Sequence, residues 1–348
     1  MHMSNFNEWV SHYPDPNSLR TYKVGERVAS GDEQLVLETE NYKQARDNEI
    51  YDANFDQWMQ GVDWSAVDNM VQELVDKSAV KDKTINNIWP GRVVNENDDA
   101  NSFGQFEMNG NYIGLNNELI ENVAELAKVN VDIMRTQMLF HEVIHAASKH
   151  ENQVSYKSFK SFYDIIKETL LKDFSVFRKA KTETMVSSGN YHLNERKIHR
   201  DKDGGIIGDQ ENEFFSFFND AVVEQKSVEM LKDYAKRTGK FTAAQLTEYE
   251  NNYLKNEQAN PGIVYLVFID AITEILAAYS DVDKQVLWDG LVRGQFNEKP
   301  FEDKGVQEMF AGAFYLNFLQ DLSKVETSED SLRLVIKAIE QFKQRKLK

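Results

Sequence analysis

The stretch His141-Glu142-Val143-Ile144-His145 limits what this chain can fold into more than any other feature of it. It lies in a segment, residues 131–149, whose apolar residues recur at helical spacing, so we expect a helix there. On that helix His141 and His145 are one turn apart on one face, the spacing that two imidazoles need to bind one divalent metal ion. Glu142 is then placed to accept a proton from a metal-activated water.

Chance alone gives such an HExxH match on the order of 0.01 times in a chain of this length and histidine content. The alternative interpretation is a pair of histidines on an ordinary core helix. The motif therefore indicates a metal site, and a third ligand has to be sought elsewhere in the sequence.

The composition limits which residues can bind a metal and which kinds of partner the protein can have. The chain has 348 residues, 41% of them hydrophobic, and no cysteine, so any metal must be bound by histidine and carboxylate. A net charge of −17 argues against a nucleic-acid partner. No uninterrupted apolar run reaches about 18 residues, so no membrane span is expected. The sequence as it stands begins without a signal peptide and indicates the cytoplasm, whereas removal of such a peptide would indicate secretion.

Residues 1–60 are polar and acidic, and we interpret them as a partly disordered or loosely packed N-terminal extension. Residues 61–348 are interpreted as one domain, beginning with a helix over about 65–80. Two alternating segments at 103–108 and 111–115 are joined by Asn109-Gly110, the strongest short signal for a β-hairpin. The second segment is expected to be the outer strand and to bind substrate as an added strand through Tyr112, Ile113 and Gly114.

The rest of the chain is predicted to be largely helical. Residues 186–212 interrupt the helical pattern and indicate an exposed loop or second hairpin, of a length suited to a flap over a cleft. The predicted fold class is thus α+β and mostly helical, with a small hairpin or sheet packed on the HExxH helix and a helical C-terminal part. Helices are expected over about 117–128, 159–181, 213–236, 242–255, 261–279, 282–292, 304–322 and 328–346.

Two ways of supplying the third ligand fail on the sequence. The metzincin pattern requires a glycine and a third histidine shortly after the motif, but Ser148 and Glu151 occupy those positions. His150 lies five residues beyond His145 and therefore points from a different face of the helix.

The segment Asn219-Asp220-Ala221-Val222-Val223-Glu224 resembles the acid-bearing helix of the gluzincins, the thermolysin-like zinc peptidases. The resemblance implies that Asp220 binds zinc and that Glu224 holds a zinc-bound histidine in its tautomer. Glu224 and Glu213 remain alternatives for the ligand itself. Asp220 stands where the family usually has glutamate, so the two helices would have to approach more closely.

The order of elements over residues 100–295 also resembles small bacterial gluzincin-like peptidases, which implies a zincin-like fold. The expected function is therefore a zinc-dependent peptidase acting on peptides or proteins, with zinc held by His141, His145 and Asp220 and with Glu142 as the general base. A catalytically inactive binding or scaffold protein, and a zinc hydrolase of a non-peptide amide, are the alternatives. Candidates for an additional oxyanion donor are Tyr191, His192, His199 and Tyr265.

Overall fold

The structure is a computed structural model. The chain divides into two compact units, one formed by Met1–Ser148 with Asp220–Asn297 and the other by Lys149–Asn219 with Glu298–Lys348. The residues described are 50, 52–76, 93–96, 102–107, 112–158, 181–188, 192–200, 206–260, 262–296, 301 and 304–346. Most of the N-terminal extension, the Asn109-Gly110 turn and the helix expected over 159–181, apart from Lys181, lie outside these residues.

The first unit opens with helices α1 (Ala53–Gly61) and α2 (Trp64–Asp76). Asp52 caps α1, since its carboxylate accepts hydrogen bonds from the backbone amides of the next turn. Three apolar side chains of α1 are buried, so the packed structure begins before residue 60, where the sequence placed the end of the extension. These side chains are Phe55, Trp58 and Met59.

A three-stranded sheet follows, made of β1 (Val93–Asn95), β2 (Gly104–Glu107) and β3 (Tyr112–Leu115). Strands β2 and β3 pair antiparallel, as the hairpin pattern predicts. The strand order is β1-β3-β2, with β1 parallel to β3.

The expectation that the second hairpin strand is an outer, substrate-binding strand is wrong. Strand β3 is central and its main chain is paired on both sides, so it offers no edge for an added peptide. Tyr112 and Ile113 are buried, and the space beside Gly114 is filled by the side chain of Glu96. Among the described strands of this sheet, the edges belong to β1 and β2.

Helices α3 (Asn117–Ala127) and α4 (Val131–Ala147) come next, close to the predicted bounds. Each begins at an asparagine cap, Asn116 and Asn130 respectively. Lys128 ends α3 in the left-handed conformation, with φ of 55°. Strands β2 and β3 pack against α4, so the small sheet lies on the helix that carries the HExxH motif.

One buried arginine ties α4 to α3. The Nε atom of Arg135 donates to Oδ1 of Asn117 at 2.7 Å, and its two terminal nitrogens pair with Asp132 and Glu121. Because the Arg135 side chain is only 3% exposed, these bonds fix the start of α4 relative to the end of the sheet.

Four further helices follow, of which the first belongs to the first unit from Asp220 onward and the others lie wholly within it. They are α5 (Ser216–Thr238), α6 (Ala243–Tyr249), α7 (Ile263–Ser280) and α8 (Lys284–Gln295). A π-helical turn, Glu250–Leu254, continues α6. Single π-turns of this kind are rare and occur frequently near functional sites.

By length and composition alone, α7 could cross a membrane. Its apolar side chains Ile269, Ile272 and Leu276 are nevertheless buried within the unit. On another side Asp270 and Glu274 both pair with Lys284 of α8, at 2.6 Å. One third of α7 is buried within the unit.

The second unit contains a four-stranded sheet in the order β5-β4-β6-β7. The pair β6–β7 is antiparallel, which agrees with the second hairpin considered for residues 186–212. Strands β4 and β5 were not predicted. The strands are β4 (Lys149–Ser158), β5 (Lys181–Ser188), β6 (His192–Arg200) and β7 (Ile206–Phe214).

Three helices complete this unit, α9 (Lys304–Ala313), α10 (Phe318–Leu322) and α11 (Ser328–Lys346). The single helix predicted over 304–322 is thus two helices. Phe314 and Phe318 stack at the break between them, with ring centroids 3.8 Å apart. In the described residues the chain is mostly helical with a small three-stranded sheet in its first unit, which confirms the α+β, mostly helical class.

Candidate metal centre

His141 and His145 lie on successive turns of α4 and face each other. Their ring centroids are 5.0 Å apart, and the two Nε2 atoms are 3.2 Å apart. Two ligands that each lie about 2.0–2.1 Å from a tetrahedral zinc ion are separated by about 3.3 Å. The imidazole spacing therefore fits one shared metal ion. Both side chains are partly exposed, at 18% and 15%, so an ion has access to them.

Asp220 approaches the same space from the second turn of α5. Its Oδ1 atom is 3.7 Å from Nε2 of His145, a few tenths of an ångström beyond the ligand spacing that a tetrahedral site requires. By strict proximity, the described residues contain no preassembled group of three metal ligands. The Asp220 side chain is 39% exposed.

Glu224 follows Asp220 by one turn on α5 and contacts the first histidine of the motif. Its Oε2 atom is 2.9 Å from Nδ1 of His141. Since an ionised carboxylate only accepts hydrogen bonds, Nδ1 of His141 must carry the proton, and in the neutral ring Nε2 keeps its lone pair. Glu224 thus directs the metal-binding nitrogen of His141 toward His145.

The two histidines differ in their affinity for protons. Burial by itself lowers the pKa of His141, but the hydrogen bond to Glu224 and the charges of Glu142 and Asp220 outweigh burial and raise that pKa to about 9. Burial, followed by repulsion from His141, holds the pKa of His145 well below its usual value. The pair therefore shares one proton near neutral pH, which a metal ion would have to displace.

Glu142 is buried beside the histidines, with 6% exposure. Burial raises its pKa to about 7, the charges of Asp220 and Glu224 act in the same direction, and His141 opposes them. Its carboxylate also accepts a hydrogen bond from the backbone N–H of Phe106 on β2. A carboxylate with a pKa near neutrality is suited to accept and return a proton.

Gly104 allows β2 to lie against Glu142. A Cβ atom at this position would be 3.3 Å from Cγ of Glu142, 2.9 Å from Cδ2 of Leu115 and 3.0 Å from the carbonyl oxygen of Gly114. This role of Gly104 was not predicted from the sequence. An isolated glycine within a strand indicates that another group lies close to the backbone, but it does not indicate which group.

The structure separates the four candidate oxyanion donors. Tyr265 of α7 lies close enough to the candidate metal centre for the charges of Asp220 and Glu224 to act on it: burial, followed by these charges, raises its pKa to about 12. Its phenol is a hydrogen-bond donor at neutral pH. His192 and His199 lie on β6 of the second unit. Tyr191 lies outside the described residues.

Of the remaining site residues expected from the sequence, Glu213, the alternative ligand, is on β7 of the second unit. Tyr112, Ile113 and Gly114 form the middle of the small sheet. The residues that come together in the first unit are His141, Glu142, His145, Asp220 and Glu224.

Comparisons of the chain with protein families, with curated proteins and with solved structures find no match.

Proposed function

We propose that this protein is a zinc-dependent peptidase of the gluzincin type. The observation that carries the proposal is the 3.2 Å separation of the His141 and His145 Nε2 atoms, with a carboxylate oxygen of Asp220 3.7 Å from the second. Two imidazoles and one carboxylate are a common protein ligand set of catalytic zinc, which leaves a fourth position for water or substrate.

Zinc bound by His141, His145 and Asp220 would supply Lewis acidity, making a water more acidic and polarising a substrate carbonyl. Glu142 accepts the proton of the attacking water and returns it to the leaving amine, for which a pKa near 7 is suitable. Glu224 keeps the proton of His141 on Nδ1.

Tyr265 is the proposed donor to the oxygen of the carbonyl under attack. Its phenol is protonated at neutral pH, as any tyrosine is, and burial raises its pKa further, to about 12. A donor aimed at developing negative charge stabilises the transition state more than the substrate.

The substrate is proposed to be a peptide that pairs with β2. The backbone N–H of Asn116 donates to the carbonyl of Phe103, so the polar main-chain groups of Phe103 face the β3 side. Along an antiparallel strand these groups face alternate sides, so those of Gln105 also face β3 and those of Phe106 face away from it. The Phe106 N–H bonded to Glu142 lies on that outward side. A peptide added along this edge would run beside the general base, with its own main chain supplying the hydrogen bonds.

The test combines metal analysis with cleavage of a broad peptide library. We expect about one zinc per chain, and cleavage that falls by about 10²–10⁴-fold in Glu142→Gln at unchanged zinc content. Zinc-loaded protein with no cleavage above the Glu142→Gln background would favour an inactive binding or scaffold protein. Cleavage of small amides without cleavage of peptides would favour a hydrolase of non-peptide amides.

A further inference from the structure

A chain of buried hydrogen bonds continues from Glu224 away from the histidines. Oε1 of Glu224 accepts from Nε2 of Gln137 at 2.8 Å, and the same nitrogen is 3.2 Å from Oγ of Ser227. Tyr249 donates from its hydroxyl to Oε1 of Gln137. With His141 on the other carboxylate oxygen, both oxygens of Glu224 are held.

The direction of every bond in this chain is determined by the charge on Glu224. An ionised carboxylate can only accept, so Gln137 must present its NH₂ group to Glu224 and its carbonyl oxygen to Tyr249. The hydroxyl of Tyr249 must then donate. Ser227 donates to the backbone carbonyl of Glu224 at 2.8 Å, which leaves its oxygen to accept the second N–H of Gln137. Both N–H groups and the carbonyl oxygen of the Gln137 amide are used, and a flip of the amide would break all three bonds together.

The residues of this series of hydrogen bonds are buried and closely packed. Gln137 and Ser227 are fully buried, and Tyr249 is almost so. Gln137 precedes His141 by one turn on α4, so the two lie on the same face. Tyr249 is the last residue of α6, directly before the π-helical turn, and its ring stacks on that of Tyr253 at 5.3 Å.

We propose that Gln137 and Tyr249 are positioning residues that hold Glu224, and through it His141, in the orientation that directs Nε2 of His141 at the metal. The proposal rests on the proposed function in treating His141 as a metal ligand. It adds that the junction between α6 and the π-helical turn sets the affinity of a centre to which it contributes no ligand. Outer partners of metal-bound histidines act in this way in other sites.

The test uses the full-length chain with Gln137→Met and Tyr249→Phe, and with Tyr234→Phe as the matched control. Methionine keeps much of the volume of glutamine and removes its amide. Tyr234 is as buried as Tyr249, but its hydroxyl accepts a hydrogen bond from the backbone N–H of Asp63 and does not hold Gln137. If Gln137→Met does not fold, Tyr249→Phe, which removes one oxygen atom, carries the test.

Two measurements are made on each variant. One is the dissociation constant for Zn²⁺ added alone to the metal-free protein. The other, on metal-free protein labelled with ¹⁵N-histidine, is the rate at which the Nδ1 proton of His141 exchanges with solvent. A general loss of packing would act equally in the control, whereas loss of the Glu224 orientation exposes this one proton.

We expect Gln137→Met and Tyr249→Phe to weaken zinc binding about tenfold and to accelerate exchange of the Nδ1 proton, with Tyr234→Phe near wild type in both. Unchanged exchange and unchanged zinc affinity in the first two variants would overturn the proposal, as would equal changes in Tyr234→Phe. Faster exchange in a protein whose wild type binds no zinc would support the positioning role while refuting the proposed function. If the protein binds zinc and cleaves peptides, and neither property changes in Gln137→Met and Tyr249→Phe, the proposed function would be supported and the positioning role refuted.

Discussion

The Nε2 atoms of His141 and His145 lie 3.2 Å apart, on successive turns of α4. Two neighbouring imidazoles in this arrangement repel each other when both are protonated, since like charges disfavour each other at short range. A bound divalent ion would replace their shared proton and complete the coordination with Asp220. The proposed centre therefore consists of three ligand atoms and one ion.

Asp220→Ala is predicted to weaken zinc binding by about a hundredfold or more, because the centre loses its only anionic ligand. Isothermal titration with Zn²⁺ measures this directly. The matched control is Asp233→Ala, which removes an exposed acid of the same helix that pairs with Arg237. Equal affinities in the Asp220→Ala variant and the wild type would remove Asp220 from the ligand set and return Glu224 to consideration.

Glu142→Gln is predicted to change the pH dependence of stability of the metal-free protein. The pKa of Glu142 is raised from 4.5 to about 7 in the folded state, so folding favours its protonated form. Its contribution to stability is present below pH 4.5 and is lost as the pH rises through about 7. Glutamine does not titrate. The free energy of unfolding of the variant should therefore rise relative to that of wild type between pH 4.5 and about 7, and the difference should stay constant above that pH.

Thermal unfolding of both metal-free proteins between pH 4.5 and 8 checks this prediction. A difference in melting temperature that does not vary with pH would show that Glu142 titrates at its ordinary pKa.

Gly114→Ala is predicted to destabilise the protein by about 2 kcal/mol or more, as expected for overpacking of a buried site. The added Cβ would fall 1.4 Å from Oε1 of Glu96, whose side chain is buried and accepts a hydrogen bond from Nε2 of Gln105. The control is Gly290→Ala in α8, where no atom lies within 4 Å of the new Cβ. That change should stabilise by about 0.5–1 kcal/mol through helix propensity.

Urea unfolding of the two glycine variants gives both free energies. Similar values for Gly114→Ala and wild type would mean that Glu96 does not occupy the space over β3.

Arg135→Met is predicted to destabilise the protein by about 2–4 kcal/mol, because it removes a buried donor that serves three acceptors on α3 and α4. Arg237→Met is the exposed counterpart. Arg237 also pairs with two acids, but its side chain is 34% exposed, so the loss should stay below about 1 kcal/mol. Denaturant unfolding measures the loss of stability in each variant. Equal losses would show that burial does not make the Arg135 interactions stronger than those of Arg237.

The parts of the fold that could be predicted are those whose signal is local. Alternation on both sides of Asn109-Gly110 predicted that β2 and β3 pair, and the caps Asn116 and Asn130 stand at the predicted starts of α3 and α4. The position of β3 between two partners could not be predicted. Its second partner, β1, has only three residues and pairs at a separation of 20 positions, with no turn to indicate it.

Strands β4 and β5 were missed for a different reason. Residues 149–158 are mostly charged or polar, and β5 begins with four residues of which none is apolar. Such sequences have little of the period-two alternation by which a half-buried strand is identified. Strand β4 pairs with β5 and β6, which are distant in the sequence, and this pairing cannot be identified from either segment alone.

Within the candidate metal centre the same distinction holds. Asp220 and Glu224 could be selected because a spacing of four places both on one face of a helix. Tyr249 could not, since it meets Gln137 across 112 positions of the chain. Gln137 offered one usable signal, a polar residue one turn before His141 on the same buried face, and a buried polar group requires a partner.

A crystal structure of the zinc-loaded protein, with anomalous data collected at the zinc edge, would identify the metal ligands. We expect one anomalous peak per chain, about 2.0–2.2 Å from Nε2 of His141, Nε2 of His145 and a carboxylate oxygen of Asp220. We also expect Glu224 to remain on Nδ1 of His141. A peak that is absent from this position, or that is bound by the two histidines together with an acid other than Asp220, would contradict the proposed ligand set.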